Sequence, residues 1–318
     1  MRSLLTSLNF TPKHLSPQLA WAGHLPFAYL LVSELKPKSI VELGTHSGNS
    51  YFTFCQAVKQ FKTYTQCYAV DTWKGEKHAG HYDNAIYDLV CKHNQKHYSS
   101  FSQLLRTTFD DAALQFSSNS IDLLHIDGLH TYEAVKDDFN TWYPKVSDGG
   151  MILFHDICCR HEDFGVWKLW EEIQNQYPQT LSLLHSHGLG VLIKGNDKPK
   201  NDFISSLVDP KKSNEWQDFF SYAGQQILNE EKRKETERCI EVRSAEVENH
   251  NTEIANLRTE IKRSHEKIAA QVVEINELIQ IVRLKNDKIT RMQTSFSWKV
   301  SSPLRALKRL FGKFRKLR

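Results

Sequence analysis

The sequence predicts an α/β domain built on a mainly parallel sheet, followed by a long helical extension. Three observations carry this. Apolar runs of strand length alternate with amphipathic stretches, the pattern of a sheet covered on both faces. Several of those runs end in turns that bear Gly and Asp. From Ile240 onward the apolar period becomes seven. The 318 residues, 40% hydrophobic and 25% charged, are enough for a sizeable core and, at about 150 residues per domain, for two domains or one with an extension.

The candidate strands are Ser39–Leu43, Cys67–Val70, Ile121–Ile126 and Met151–Phe154. Between the last two, Tyr132–Trp142 places Ala134, Val135, Phe139 and Trp142 on one helical face and Lys136, Asp137 and Asp138 on the other. Leu181–Leu184 and Leu189–Ile193 flank a His-Gly turn and read as a terminal hairpin. A linker or helix over 213–239 then leads to eight residues in strict heptads: Ile240, Val247, Ile254, Ile261, Ile268, Ile275, Val282 and Ile289. The d positions are poorer in apolar residues, so a coiled coil over 240–293 is expected and its oligomer state is left open. A single helix folded back on the globular part is the alternative.

Charge is unevenly placed. The net charge is +4, yet residues 299–318 hold eight basic side chains and no acid, against 33 basic and 37 acidic residues elsewhere. In the 296–318 tail Leu304, Leu307, Leu310, Phe311, Phe314 and Leu317 recur at helical spacing among those bases. Such a helix suits an anionic membrane surface or an acidic partner. Nucleic acid is set aside, because the rest of the chain is acidic and shows no recognition motif.

Fourteen Gly and nine Pro exclude collagen-like fibres. Six Cys in so long a chain argue for reduced thiols, not a disulfide framework. Met1–Phe10 has no secretory pattern, and the uncharged stretch Leu15–Ser33 is broken by Pro17 and Pro26. A cytoplasmic protein is expected, held peripherally at the inner membrane if the tail binds lipid.

Three motifs bear chemistry. In Ile40–Ser50 a buried strand ends in Glu42 and enters a turn with Gly44 and Gly48, where backbone can approach a ligand, while Ser47, Asn49 and Ser50 can cap the following helix. It is neither the dinucleotide Gly-x-Gly-x-x-Gly fingerprint nor a phosphate loop. Asp71 closes the next strand, placed either to accept both ribose hydroxyls of a nucleoside or to cap a turn. Asp127 and His130 follow one strand and His155 and Asp156 end another, so all four can meet in one crevice. They suit a divalent cation or a hydrogen-bonded polar cluster equally. His125, inside its strand, reads as a core histidine.

Together, Val41-Glu42-Leu43-Gly44-Thr45, Asp71-Thr72-Trp73, His125–Tyr132 and Phe154-His155-Asp156 make the chain from His24 to Leu192 resemble the class I S-adenosylmethionine-dependent methyltransferases. Within them it is similar to the sugar and small-molecule O-methyltransferases found beside bacterial glycosyltransferases. Ser297–Arg305 is similar to a segment that follows coiled coils in bacterial surface-polysaccharide enzymes. The resemblance implies a Rossmann-like seven-stranded sheet with a terminal antiparallel hairpin over 1–212. Glu42, Gly44, Thr45, Ser47 and Gly48 would surround the methionine part of S-adenosylmethionine, Asp71 would take its ribose, and Trp73 would close over it. Asp127, His155 and Asp156 match the positions that hold Mg²⁺ in metal-dependent relatives, and His130 matches the base. The family's middle loop glycine is His46 here.

The expected activity is O-methyl transfer to a sugar or surface-polysaccharide precursor, by a homo-oligomer joined through its coiled coil, with glycosyltransferases as partners. The rival is a non-catalytic scaffold that organises glycosyltransferases at the membrane. Lesser candidates are Cys158, Cys159 and His161 for zinc, Cys91, His93 and His97 for a metal or a solvated helix face, and the Lys74–Tyr82 loop for substrate contact.

Overall fold

The computed structural model describes residues 7–76, 80–81, 84–161 and 163–314. Its elements are α1 (Leu25–Leu35), β1 (Ser39–Leu43), α2 (Asn49–Phe61), β2 (Gln66–Asp71), α3 (Asn84–His97), β3 (Ser102–Arg106), α4 (Phe109–Ala113), β4 (Ile121–Ile126) and α5 (Tyr132–Trp142). After these come β5 (Val146–His155), α6 (Val166–Gln176), β6 (Thr180–Leu183), β7 (Leu189–Ile193), α7 (Asp202–Leu207), α8 (Ser213–Thr294), α9 (Phe296–Val300) and α10 (Ser302–Phe314). Tyr82 and residues 315–318, both named from sequence, lie outside the described residues.

The sheet has seven strands in the order β3-β2-β1-β4-β5-β7-β6. β7 runs antiparallel to both β5 and β6, while the strands from β3 to β5 are mutually parallel. This is the Rossmann-like sheet with a terminal hairpin that the sequence implied. Its inner strands β1, β4 and β7 are buried on both faces, as a covered sheet requires, while the edge strands β3 and β6 are partly exposed.

Period two sorts the side chains between two cores. Ile40, Leu123, Met151 and Leu153 pack with α1 and α2, and Val41, Leu43, Leu124, Ile126, Ile152 and Phe154 pack with α5 and α6. On the first of these faces, the strand ends carry Glu42, His125 and His155, each buried. Glu42 and His125 are register partners across β1 and β4.

Residues 11–21 form a strap over α2. Gln56 accepts from the backbone N–H of Lys13 at 2.8 Å and donates to the Thr11 carbonyl at 3.0 Å. Asn49 accepts from the Ser16 N–H at 2.7 Å and donates to the Gln18 carbonyl at 2.6 Å. Each buried amide thus satisfies itself on strap backbone, as a burial without penalty demands. Asn49 and Ser47, expected as helix caps, serve the strap instead: Ser47 Oγ lies 2.6 Å from Ser16 Oγ, and α2 begins at Gly48 without a side-chain cap.

Two compact units divide the chain at Glu235. The first includes the opening turns of α8, where Phe220 packs edge-on against Phe27 at 5.0 Å and Gly224 sits so close to Gly23 that a Cβ would fall 2.0 Å from its carbonyl oxygen. In the second unit α8 continues to Thr294, followed by α9 and α10. Its heptad residues from Ile240 to Ile289 are each 47–59% exposed. No helix among the described residues is long and apolar enough to cross a membrane.

Candidate active site

The C-terminal ends of β1, β2, β4 and β5 open into one cavity of about 680 Å³. Gly44, Thr45, Ser47, Asp71, Asp127, His130, His155 and Asp156 line it, so eight residues singled out from sequence share a single wall. Gly44 is required there: φ is +87°, and a Cβ would lie 2.0 Å from the Asp127 carbonyl oxygen. The next loop residue but one, His46, takes φ +48°, where a glycine would be unstrained.

Asp71 fixes the shape of this loop. Its Oδ2 accepts from the backbone N–H groups of Thr45 and His46 at 3.0 and 2.9 Å, and its Oδ1 accepts from the Trp73 N–H at 2.7 Å. Oδ2 is thereby filled, and Oδ1 keeps one lone pair for a further donor. Trp73 does not cover the cavity. It is 1% exposed, packs on Tyr87 and donates its indole N–H to the His46 carbonyl at 2.8 Å, behind the loop. Glu42 and Gly48 also stand outside the lining. Glu42 is buried beneath the wall, hydrogen-bonded to His125 at 2.9 Å. Gly48 has φ +85° and turns the chain into α2 against the Phe52 ring.

Beside the loop, where the Asp127 carbonyl meets Gly44, stands an acid–imidazole cluster. His155 faces acceptors with both nitrogens: Nδ1 donates to Asp127 at 3.2 Å, and Nε2 donates to the Ser186 carbonyl at 3.2 Å. It is therefore an imidazolium. Burial opposes that charge, but Asp127 and Asp156 outweigh it and raise its pKa well above the ordinary value. His130 Nε2 is 2.9 Å from Asp156 Oδ2 and 3.5 Å from Asp127 Oδ1, its ring stacked on Phe164 at 4.8 Å. Burial would lower its pKa, yet the same two carboxylates push it up to about 9. Burial would likewise raise the two acids, and the neighbouring histidines hold both well below the usual range.

Because His155 spends both nitrogens as donors, the nitrogen that converges with Asp127 and Asp156 comes from His130. These three groups offer ligand atoms within 4.8 Å of one another. Two carboxylates and an imidazole form a donor set that fits a divalent cation. Cys91, His93 and His97 are in no such group among the described residues.

Sequence reasoning missed part of the wall. Gln18, Ala20 and Trp21 come from the strap, and Thr108 and Phe109 from the turn after β3. The strap carries no motif, since its path is set by Asn49 and Gln56. His187 was also missed: it lies in the β6–β7 turn with φ +70° and sets Nδ1 3.2 Å from Asp156 Oδ1.

Residues 41–157, which carry β1 to β5 and nearly all of this wall, match the family described as a methyltransferase domain. This segment is similar to methyltransferase domains. An uncharacterized protein, y4gI of Sinorhizobium fredii, is 38% identical over 263 residues, which is 82% of this chain and 29% of that protein. Another, R132 of Acanthamoeba polyphaga mimivirus, is 41% identical over 63 residues, covering 19% of this chain and 28% of that protein. The chain therefore spans less than a third of the length of these curated relatives. Among solved structures, the SAH-bound methyltransferase PaMTH1 of Podospora anserina aligns at 14% identity and a TM-score of 0.43, over 62% of this chain and 89% of its own. The matched segment holds most of the β1–β5 wall, and the strap and the β6–β7 turn lie outside it.

Proposed function

We propose that this chain is an S-adenosylmethionine-dependent O-methyltransferase that acts on a hydroxyl of a sugar or surface-polysaccharide precursor. One observation carries the reading: Asp71 and the Asp127–His130–Asp156 cluster line the same cavity. The space left by Gly44, the carboxylate of Asp71 and the hydroxyls of Thr45 and Ser47 suit the cofactor. When bound, S-adenosylmethionine supplies a methyl group already activated by its sulfonium. What the chain supplies is alignment, worth about 7–11 kcal/mol when a nucleophile is held in line. Asp71 accepts a ribose hydroxyl with the remaining lone pair of Oδ1. His130, in its neutral form, takes the hydroxyl proton at Nε2, a contribution of roughly 10²–10⁴ in rate.

His130 reaches that neutral form only when the charge of Asp127 and Asp156 is neutralised, which a divalent cation held by these two carboxylates alone would do; Nε2 of His130 then acts as the base and not as a ligand. The acceptor class rests on the resemblance to sugar O-methyltransferases carried jointly by residues 41–45, 71–73, 125–132 and 154–156. Glycosyltransferases, a homo-oligomer through the heptad seam and a peripheral place at the inner membrane belong to the same reading. The exposed seam also favours the rival, a non-catalytic scaffold.

Calorimetric titration with S-adenosylhomocysteine, run with Mg²⁺ and with a chelator, separates the two. The enzyme reading expects micromolar binding; the absence of heat under both conditions favours the scaffold. His130→Ala and Asp127→Asn are each expected to abolish methyl transfer with the fold intact, and normal turnover would remove that residue from the mechanism. Co-sedimentation with phosphatidylserine vesicles, with and without residues 302–318, tests the tail.

A further inference from the structure

Asp156 faces two ways. Its Oδ2 meets His130 and His155, while its Oδ1 lies 3.2 Å from Cys159 Sγ and 3.2 Å from His187 Nδ1. The three donor atoms of Asp156, Cys159 and His187 all lie within 4.8 Å of one another. Ligand bonds of about 2.0–2.3 Å at tetrahedral angles put neighbouring donors roughly 3.3–3.8 Å apart, so two edges of such a site are nearly in place.

We propose that Asp156, Cys159 and His187 form a second cation position, suited to a borderline-soft divalent ion such as Zn²⁺ and distinct from the Asp127–His130–Asp156 group that shares its carboxylate. Sulfur, nitrogen and oxygen in one set select for zinc-like ions over the hard cations that oxygen-rich sites take. The backbone supports the arrangement. Cys159 N–H donates to the Asp156 carbonyl at 3.1 Å, and Cys158 N–H donates to the His187 carbonyl at 2.8 Å, so the loop after β5 is tied to the β6–β7 turn. Asp156, Ser186 and His187 all hold left-handed backbones, with φ of +63°, +47° and +70°. Three such non-glycine residues in two facing loops are strained, and strain of this kind gathers at functional sites.

Cys159 is 7% and Asp156 6% exposed, whereas the His187 side chain is 55% exposed. Entry and an open coordination position are therefore on the His187 side. On binding, the Cys159 thiol gives its proton to solvent and its sulfur bonds the cation. The His187 proton moves from Nδ1 to Nε2, freeing the Nδ1 lone pair. A signal from sulfur distinguishes this site from the neighbouring group, which contains none.

Titration of the full chain with Co²⁺, followed by near-ultraviolet absorption, reads the sulfur directly. A thiolate-to-cobalt charge-transfer band is expected to saturate at one equivalent, to vanish with chelator and in Cys159→Ser, and to persist in Cys158→Ser and Cys239→Ser. His187→Ala, at an exposed side chain, is expected to weaken Co²⁺ binding by at least the ~10-fold that loss of even an outer-shell partner brings. Cobalt bound without the band, a band that survives Cys159→Ser, or unchanged affinity in His187→Ala overturns the proposal. The last of these decides the matter if Cys159→Ser fails to fold.

Discussion

The indole N–H of Trp21 donates to Nε2 of His125 at 3.0 Å, which fixes the imidazole proton on Nδ1, where it meets Glu42 at 2.9 Å. All three residues are buried, and His125 is neutral because one nitrogen must accept. The strap, β4 and β1 are thereby joined by one polar chain through the apolar core. Glu42→Ala orphans the His125 donor and is expected to lose about 1–3 kcal/mol beyond the cavity it leaves. Glu42→Gln, which keeps an acceptor, is expected to lose less. Urea unfolding of the two variants checks the difference.

Gly44→Ala is expected to disable the cavity. The new methyl would lie 2.0 Å from the Asp127 carbonyl oxygen at a φ of +87°, so the loop must shift. A shift that forfeits even ~1.4 kcal/mol of contact lowers affinity roughly tenfold. Calorimetry with S-adenosylhomocysteine is the measurement, with the melting temperature expected to fall as well.

Asp138 makes stability depend on pH. Burial, with Asp110 and Asp137 nearby, raises its pKa from 3.8 to about 7. The folded chain then holds a proton that the unfolded chain has released, so this residue's contribution falls as pH rises from about 4 through 7. Asp138→Asn is expected to raise the melting temperature at pH 8 and to change it little at pH 4. An equal gain at both values would mean that the carboxyl is not perturbed.

The seam is expected to associate with a second copy. Replacing Ile261 and Ile268 together by Lys puts charge at two adjacent a positions and should lower the mass seen in sedimentation equilibrium. Binding of S-adenosylhomocysteine should be unaffected, since the cavity lies wholly in the first unit.

Where one chemical demand settles a residue's place, the sequence was readable. β1, β4 and α5 have the predicted bounds because continuous apolar runs and a clear helical face leave few options. β3 escaped notice: Ser-Gln-Leu-Leu-Arg has two apolar residues, and its buried Ser102 is justified only by Tyr51 and Asn94, 51 and 8 residues away. The convergence of Asp127, His130 and Asp156 was legible because strand ends in a parallel sheet share a crevice. The exchange of His155 for His130 was not, because it depends on the Ser186 carbonyl, a backbone group in a distant turn. Trp73 was misjudged for a similar reason: its indole found a carbonyl behind the loop.

The strap gives the site a property that its motifs conceal. Gln18, Ala20 and Trp21 form part of the wall, yet they precede the family-matched stretch by some 20 residues. A fragment trimmed to that stretch would keep every motif and still expose Asn49, Gln56 and the cavity floor to water. Grafting this pocket onto another scaffold would therefore have to begin upstream of Thr11, and natural recombination at the motif boundary would deliver a cavity without part of its wall.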